Sequence, residues 1–273
     1  MINNLVKSKW AKKQVALNSF LSIPNSFTAE IMSEQGYDAL TVDYQHGMIG
    51  FNDLLTMFQS IRHSGVTPIC RVSSLDHAVI SKVMDAGALG IICPMINNRK
   101  QAEQLVQDCK YPPEGIRSFG PTRANFSVSS NYFYEANENT FCLAMIETQE
   151  AFDNLDDIAS TPGLDGLYIG TADLTICLNQ GKLVPSFDRK EPEMIEAKKK
   201  ILRTAHNHGK VACLHCGTPE YAAQAAEWGF DLVTITNDVR LLAGAAGAHV
   251  KKFKELINEE HDESSKDTNP SSY

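Results

Sequence analysis

One pattern recurs along this chain and narrows the folds open to it. A helix-like stretch closes on glycine, and within a residue or two an apolar run begins. "SEQGYDALTVD", "RHSGVTPICRV", "MDAGALGIICPM", "HNHGKVACLHC" and "AEWGFDLVTITND" all follow this plan. Glycine just past a helix end takes the left-handed conformation that closes the last turn. An apolar run without strict alternation is a strand covered on both faces, and hence a parallel one. The runs fall at 14–22, 39–45, 67–72, 90–95, 141–147, 166–170, 210–216 and 232–238. Helical segments such as "GFNDLLTMFQSIRHSG" and "PEMIEAKKKILRTAHNHG" separate them. Eight strands alternating with helices predict an α/β chain folded as a (β/α)8 TIM barrel. A doubly wound sheet is the structural runner-up, but no glycine-rich phosphate fingerprint follows the first run.

The 273 residues suit that fold, which takes roughly 250. We expect a single domain over 1–260 and a polar, disordered tail over 261–273, "HDESSKDTNPSSY" being its sequence. The net charge of −8 argues against nucleic acid as a partner. No apolar run is long enough to span a bilayer, so no membrane partner is expected. "MINNLVKSKWAKKQ" has no apolar leader core and is expected to be a solvated lead-in. Seven cysteines sit mostly within apolar runs, which fits reduced, buried thiols in a cytoplasmic protein. "CLHC" (Cys213 to Cys216) lacks the second cluster that tetrahedral zinc would want and is read as packing. Two connections are long, one from "YPPEGIRSFGPTRANF" to Thr140 and one at 179–192. Both are expected at the active face.

In such a barrel, chemistry sits at the C-terminal ends of the strands. The second run ends in "TVDYQHG", placing Asp43 and His46 three residues apart. The third ends at Arg71, the fifth at Glu147 and the eighth at Asn237 and Asp238, and the sixth leads into Asp173. Each residue has a plain structural explanation. Asp43 and His46 could cap a turn. Glu147 could cap the next helix, Asp173 could be a first-turn acid, and Arg71 an interior ion-pair partner. Together these explanations are strained, because a closed barrel brings every one of those ends to one mouth. The resulting cluster of charges needs something to organise it.

A bound cation with an anionic substrate would do so. Glu147 and Asp173 offer hard oxygen ligands, suited to Mg²⁺, Mn²⁺ or Co²⁺. A 2-oxo acid could occupy positions that two carboxylates leave open, and the ion would act as a Lewis acid on its carbonyl. Arg71 could bond the developing oxyanion. His46 is the candidate for proton transfer, with Asp43 fixing its tautomer. No run carries a lysine at its C-terminal end, and Lys210 starts the seventh. The sequence therefore favours a metal over a Schiff base.

These residues resemble a known family. "GYDALTVDYQHG", "PICRVSS", "AGALGIICPM", "YPPEGIRSFGPTRA", "MIET" and "GLYIGTADLT" are similar, in order, to the motifs of the HpcH/HpaI aldolases. The similarity runs from about residue 14 to 250. It implies a class II, metal-dependent aldolase that reversibly cleaves a 4-hydroxy-2-oxo acid to pyruvate and an aldehyde through a pyruvate enolate. It also implies a homohexamer in which C-terminal helices exchange between neighbours. By this resemblance Glu147 and Asp173 are the metal ligands, and His46, Arg71 and Asp43 are catalytic. Arg71, Gly170, Thr171, Ala172, Asp173, Gln45 and Leu214 are expected to line the substrate, with amides near Gly170 and Ala172 receiving the pyruvate carboxylate. The chain departs from many relatives at Gln45, where they carry an acid, at Thr171, where they carry proline, and at Phe20, where some carry tryptophan. It also departs at Cys213, His215 and Cys216.

Two rival functions stand beside this one. An acyl-CoA lyase of the same superfamily would need a basic groove, for which Arg117 and Arg123 are the available residues. A catalytically silent barrel would be expected to have lost one of the roles, and here each is filled.

Overall fold

The structure, a computed structural model, describes residues 2–257. The expected tail at 261–273 lies outside the described residues. Eight parallel strands close into a barrel in chain order. Helix α1 (Leu5–Ala11) precedes β1 (Ala16–Leu21), and α2 (Ser26–Ser33) leads to β2 (Ala39–Asp43). Then come α3 (Phe51–Ser60), a 3₁₀ turn at Ile61–His63, β3 (Thr67–Arg71), α4 (His77–Asp85) and β4 (Gly90–Cys93). Three helices, α5 (Arg99–Cys109), α6 (Thr122–Ser127) and α7 (Tyr132–Asn139), separate β4 from β5 (Phe141–Ile146). Two short ones, α8 (Gln149–Asp153) and α9 (Leu155–Ala159), precede β6 (Gly166–Ile169). The chain ends as α10 (Thr171–Leu178), α11 (Pro192–Asn207), β7 (Val211–Cys216), α12 (Pro219–Trp228), β8 (Leu232–Asn237) and α13 (Asp238–Leu256).

The eight sequence runs coincide with the eight strands because buried parallel strands must be apolar on both faces. One face of the strands fills the barrel interior with Phe20, Ile69, Ile92, Leu143, Met145 and Tyr168. The other face packs on the helices through residues such as Leu40, Val42, Ile91, Ile146 and Leu214. Two expectations change here. The lysine-rich N-terminus is a helix, α1, rather than a solvated lead-in. Its Val6 is buried, and Trp10 meets Phe141 edge-on at 4.9 Å, closing the lower end of the barrel. Its lysines pair with acids: Lys9 Nζ lies 2.7 Å from Asp38, and Lys7 3.7 Å from Asp165.

The long connection up to Thr140 does not reach the active face. It follows helix α5 and enters strand β5, so topology puts it at the strands' N-terminal ends. Arg123 there bonds the carbonyls of Ala86 and Phe58, at the ends of α4 and α3. "CLHC" packs, as expected. Cys213 faces the barrel interior and Cys216 the helix layer, so the two thiols cannot share an ion. All seven cysteines are free. No helix among the described residues is long and apolar enough to cross a membrane.

Candidate active site

"TVDYQHG" forms strand β2 and the turn that ends it. Gly47 N–H donates to the Asp43 carbonyl at 3.0 Å, closing the turn. A Cβ at Gly47 would lie 2.4 Å from that carbonyl, so the turn requires glycine. The Asp43 carboxylate accepts the main-chain N–H of Gln45 at 3.3 Å and of His46 at 3.1 Å. The turn-cap explanation is therefore correct as far as it goes. The same carboxylate also grips a neighbour. Register pairs Asp43 with Arg71 at the ends of β2 and β3. Arg71 donates Nε to Oδ1 at 2.9 Å and Nη2 to Oδ2 at 2.7 Å, a two-pronged clasp with both side chains largely buried. The guanidinium also lies over the Phe20 ring, 4.9 Å from its centroid. Burial works to raise the Asp43 carboxyl pKa, but Arg71 and the turn amides hold it below the usual carboxylate value. Burial opposes the Arg71 charge, and Asp43, with smaller contributions from Tyr168 and Glu147, more than offsets this.

The clasp differs from the role that sequence gave Asp43. Its oxygens meet Arg71 and main-chain amides, and it touches His46 through the backbone rather than the ring. His46 itself is exposed beside the mouth.

Glu147 follows the end of β5. It does not cap the next helix, because Thr148 does: its side chain accepts the Ala151 N–H at 3.0 Å. Glu147 Oε1 accepts the Met95 N–H at 2.8 Å, from a residue in the left-handed region at φ 58°. Oε2 rests over Gly170, where a Cβ would lie 2.6 Å from it. Gly170 is the N-cap of α10, and Asp173 stands, exposed, in that helix's first turn. Burial raises the Glu147 carboxyl to about 7, with the Asp173 charge adding to the rise, and the Met95 N–H and Arg71 opposing it. A buried carboxyl whose ionisation is opposed by burial and by the Asp173 charge, over a floor with no side chain, fits a divalent cation. Among the described residues no group of three or more His, Cys, Asp or Glu is gathered to hold a metal.

Of the other expected residues, Thr171 is buried and its hydroxyl donates to the His215 carbonyl at 3.0 Å, while Ala172 follows it in the first turn of α10. Gln45 keeps a buried Oε1 without a hydrogen-bond partner among the described residues. The Leu214 side chain faces away from the site, in the layer between barrel and helices. Strand alternation delivers its neighbour His215 to the mouth instead. Asn237 and Asp238 are structural. Asn237 caps α13, and Asp238 accepts the Ser22 and Ile23 N–H groups at 2.8 and 3.1 Å, tying β8 to the loop after β1.

Sequence reading missed a polar column inside the barrel. Thr41 Oγ1 donates to Asn18 Oδ1 at 3.1 Å, and Asn18 Nδ2 donates to Thr234 Oγ1 at 2.9 Å. Tyr168 Oη pairs with Thr234 Oγ1 at 2.8 Å and with His215 Nδ1 at 3.2 Å. Burial, with the nearby Arg71 charge, pushes the His215 imidazole down to about 3, so it is neutral. The signal was present as polar residues inside apolar runs. Lys198 was missed as well. It is buried in α11 and donates to the Phe187 carbonyl at 3.2 Å and to Tyr221 Oη at 2.8 Å, fixing the 179–192 connection. The arginines that a CoA groove would use are committed elsewhere. Arg117 is buried, bonded to Asp85 at 2.6 Å and stacked on Tyr111, and Arg123 lies at the opposite end of the barrel.

A family model described as HpcH/HpaI aldolase/citrate lyase matches residues 17–245. A hydroxypyruvate/pyruvate aldolase of Rhizorhabdus wittichii is 38% identical over 243 residues, covering 89% of this chain and 96% of that one. A 5-keto-4-deoxy-D-glucarate aldolase of Escherichia coli O6:H1 is 30% identical over 253 residues, covering 92% and 97%. Among solved structures, an HpcH/HpaI aldolase/citrate lyase family protein from Burkholderia cenocepacia superposes with a TM-score of 0.82. It is 24% identical, with 92% of this chain and 99% of that one covered.

Proposed function

Since the chain belongs to the HpcH/HpaI aldolase/citrate lyase family, we propose that the mouth described above is the active centre of its aldol chemistry. The protein is a pyruvate-dependent aldolase, a lyase that cleaves a hydroxy-oxo acid to pyruvate and an aldehyde. The observation that carries the site assignment is the placing of Glu147 over Gly170, with Asp173 one helical turn on and the Asp43–Arg71 clasp nearby.

Glu147 and Asp173 would hold the divalent ion, Mg²⁺, Mn²⁺ or Co²⁺, which when bound supplies Lewis-acid polarisation of the 2-oxo acid's carbonyl. Arg71, oriented by Asp43 below and Phe20 beside it, presents its remaining N–H groups to the oxygen on which negative charge grows. The start of α10, at Gly170 to Ala172, offers its amides to the substrate carboxylate. In the cleavage direction His46 takes the proton of the 4-hydroxyl. The bond between C3 and C4 breaks, C4 leaves as the aldehyde, and the electron pair enters the enolate of pyruvate. His46 returns that proton to C3 of the enolate, which yields pyruvate and restores the base. Asp43 acts through Arg71 and is a positioning residue.

The reading extends to the chain as a whole. Residues 1–260 form one catalytic domain, the protein works as a homohexamer with C-terminal helices exchanged, and its free, largely buried thiols support a cytoplasmic setting. Exchange of pyruvate methyl protons with deuterated water tests the site without needing the physiological aldehyde. Arg71→Ala should slow exchange a hundredfold or more, the range for losing an oxyanion donor. Exchange within about twofold of wild type would make Arg71 structural and overturn the mechanism.

A further inference from the structure

Five side chains form a continuous stack leading away from Arg71. The Arg71 guanidinium lies 4.9 Å from the Phe20 centroid. Phe20 meets the His215 ring edge-on at 4.7 Å. His215 lies flat on Phe187, at 4.4 Å with 15° between planes. The far partner of Phe187 is the Arg240 guanidinium, 4.8 Å from its centroid. The stack thus begins at the group we assign to the pyruvate oxygen and ends at a second guanidinium. Three rings separate the two cations, and the middle one is neutral.

Arg240 is in the first turn of α13, directly after β8, and therefore at the mouth. It is half-buried, and its guanidinium makes no hydrogen bond or ion pair with a described residue. Asp188 is the acid that acts on it electrostatically. Both Asp188 oxygens are already taken, one by the Gly217 N–H and one by the Thr218 hydroxyl, each at 2.7 Å. A partly desolvated guanidinium without an acceptor is costly, and an oxyanion that engages its fork recovers that cost. Phe187 holds the fork in one plane. Phe187 is itself fixed, because Lys198 bonds its carbonyl and Tyr221 Oη donates to the carbonyl of Arg189 at 2.7 Å. The cation is therefore built in on a rigid segment.

We propose that Arg240 is a specificity-determining residue that binds an anionic oxygen group, carboxylate or phosphate, at the end of the aldehyde acceptor remote from its carbonyl. The proposal rests on the pyruvate-aldolase reading of the same mouth. The acceptor would lie along the face of the stack, its carbonyl toward Arg71 and its anion at Arg240.

The test compares anionic acceptors with neutral ones of the same carbon chain length. One arm pairs 4-oxobutanoate with butanal, and the other pairs glyceraldehyde 3-phosphate with glyceraldehyde, each with pyruvate and Mg²⁺. Wild type should favour the anionic member of at least one pair by about tenfold or more in kcat/KM, as expected for one charge-assisted contact. The arm in which this holds identifies the carboxylate or the phosphate. In Arg240→Met that preference should collapse through a rise in KM for the anionic acceptor, and Arg240→Lys should restore part of it. No preference in wild type, or equal losses for charged and neutral acceptors in Arg240→Met, would overturn the proposal. Pyruvate proton exchange separates the two levels. Wild-type exchange without discrimination sinks only the role of Arg240, whereas no exchange in wild type sinks the aldolase site itself.

Discussion

Asp43 serves the turn and the site with one carboxylate. It accepts two turn amides and both prongs of Arg71, so its loss strikes the turn and the guanidinium together. Asp43→Asn keeps the size and one acceptor oxygen but removes the charge, leaving Arg71 buried without its counterion. We expect a stability loss of about 3 kcal/mol in urea unfolding, typical of a buried pair broken on one side. Turnover should fall together with pyruvate exchange. Normal exchange in a destabilised variant would show that Arg71 is positioned by Phe20 alone. His215 makes a pH-dependent claim. The folded chain binds its proton only near pH 3, whereas the ordinary imidazole value is 6.5. The unfolded chain therefore binds more protons between those values, and stability falls as pH drops through that window. His215→Gln removes this dependence. Its stability deficit relative to wild type at pH 7 should shrink by on the order of 2 kcal/mol by pH 4.5. A deficit constant across that range would mean that the buried imidazole takes up its proton as readily in the folded chain as in the unfolded one.

At the scale of elements, the junction of β6 and α10 is the tightest part of the site. A methyl group at Gly170 would lie 2.6 Å from Glu147 Oε2, 2.8 Å from its Cβ and 2.8 Å from Met145 Cε. All three atoms belong to β5 or its last turn, which is packed and cannot retreat. Gly170→Ala should therefore turn the Glu147 carboxylate aside at a folding cost of about 1–3 kcal/mol, as for other overpacked sites. Metal affinity by calorimetric titration should weaken at least tenfold, in the range seen when a ligand's support is disturbed. Unchanged affinity would remove Glu147 from the ligand set. The reasons some elements were legible in sequence and others were not lie at this scale. Strand ends could be read because parallel strands are apolar throughout, and the first polar residue marks the mouth, as at Asp43, Arg71 and Glu147. Stacking could not. Phe187 sits in an irregular connection, and Arg240 sits on a helix whose polar residues beyond Asp238 are largely solvated. His215 was passed over for Leu214 because a strand apolar on both faces does not announce which face is inward. The helix α1 escaped because only Val6 is buried and Trp10 half-buried, amid lysines.

The whole molecule leaves one element without cover. Helix α13 runs for 19 residues, and of these only Asp238 is buried. Its exposed apolar residues include Val239, Leu242, Val250 and Phe253, with Ile257 just beyond, spaced so that they share one face of the helix. Phe253 is 61% exposed and Leu242 64%. An apolar stripe of this length on an isolated chain marks a protein interface. None of the stripe is buried against the described barrel, so it is free to be buried against neighbouring copies. That arrangement is the one expected of a hexamer with exchanged C-terminal helices. Sedimentation at micromolar concentration should therefore find an oligomer. Leu242→Asp with Phe253→Asp should dissociate it, because two charges placed in a buried apolar contact are not tolerated without partners. The barrel's own melting should change much less than the assembly, because the stripe contributes to neither face of the sheet. A wild-type chain that sediments as a monomer, or a double variant that stays assembled, would show that α13 is not the contact and that copies associate, if at all, through another face.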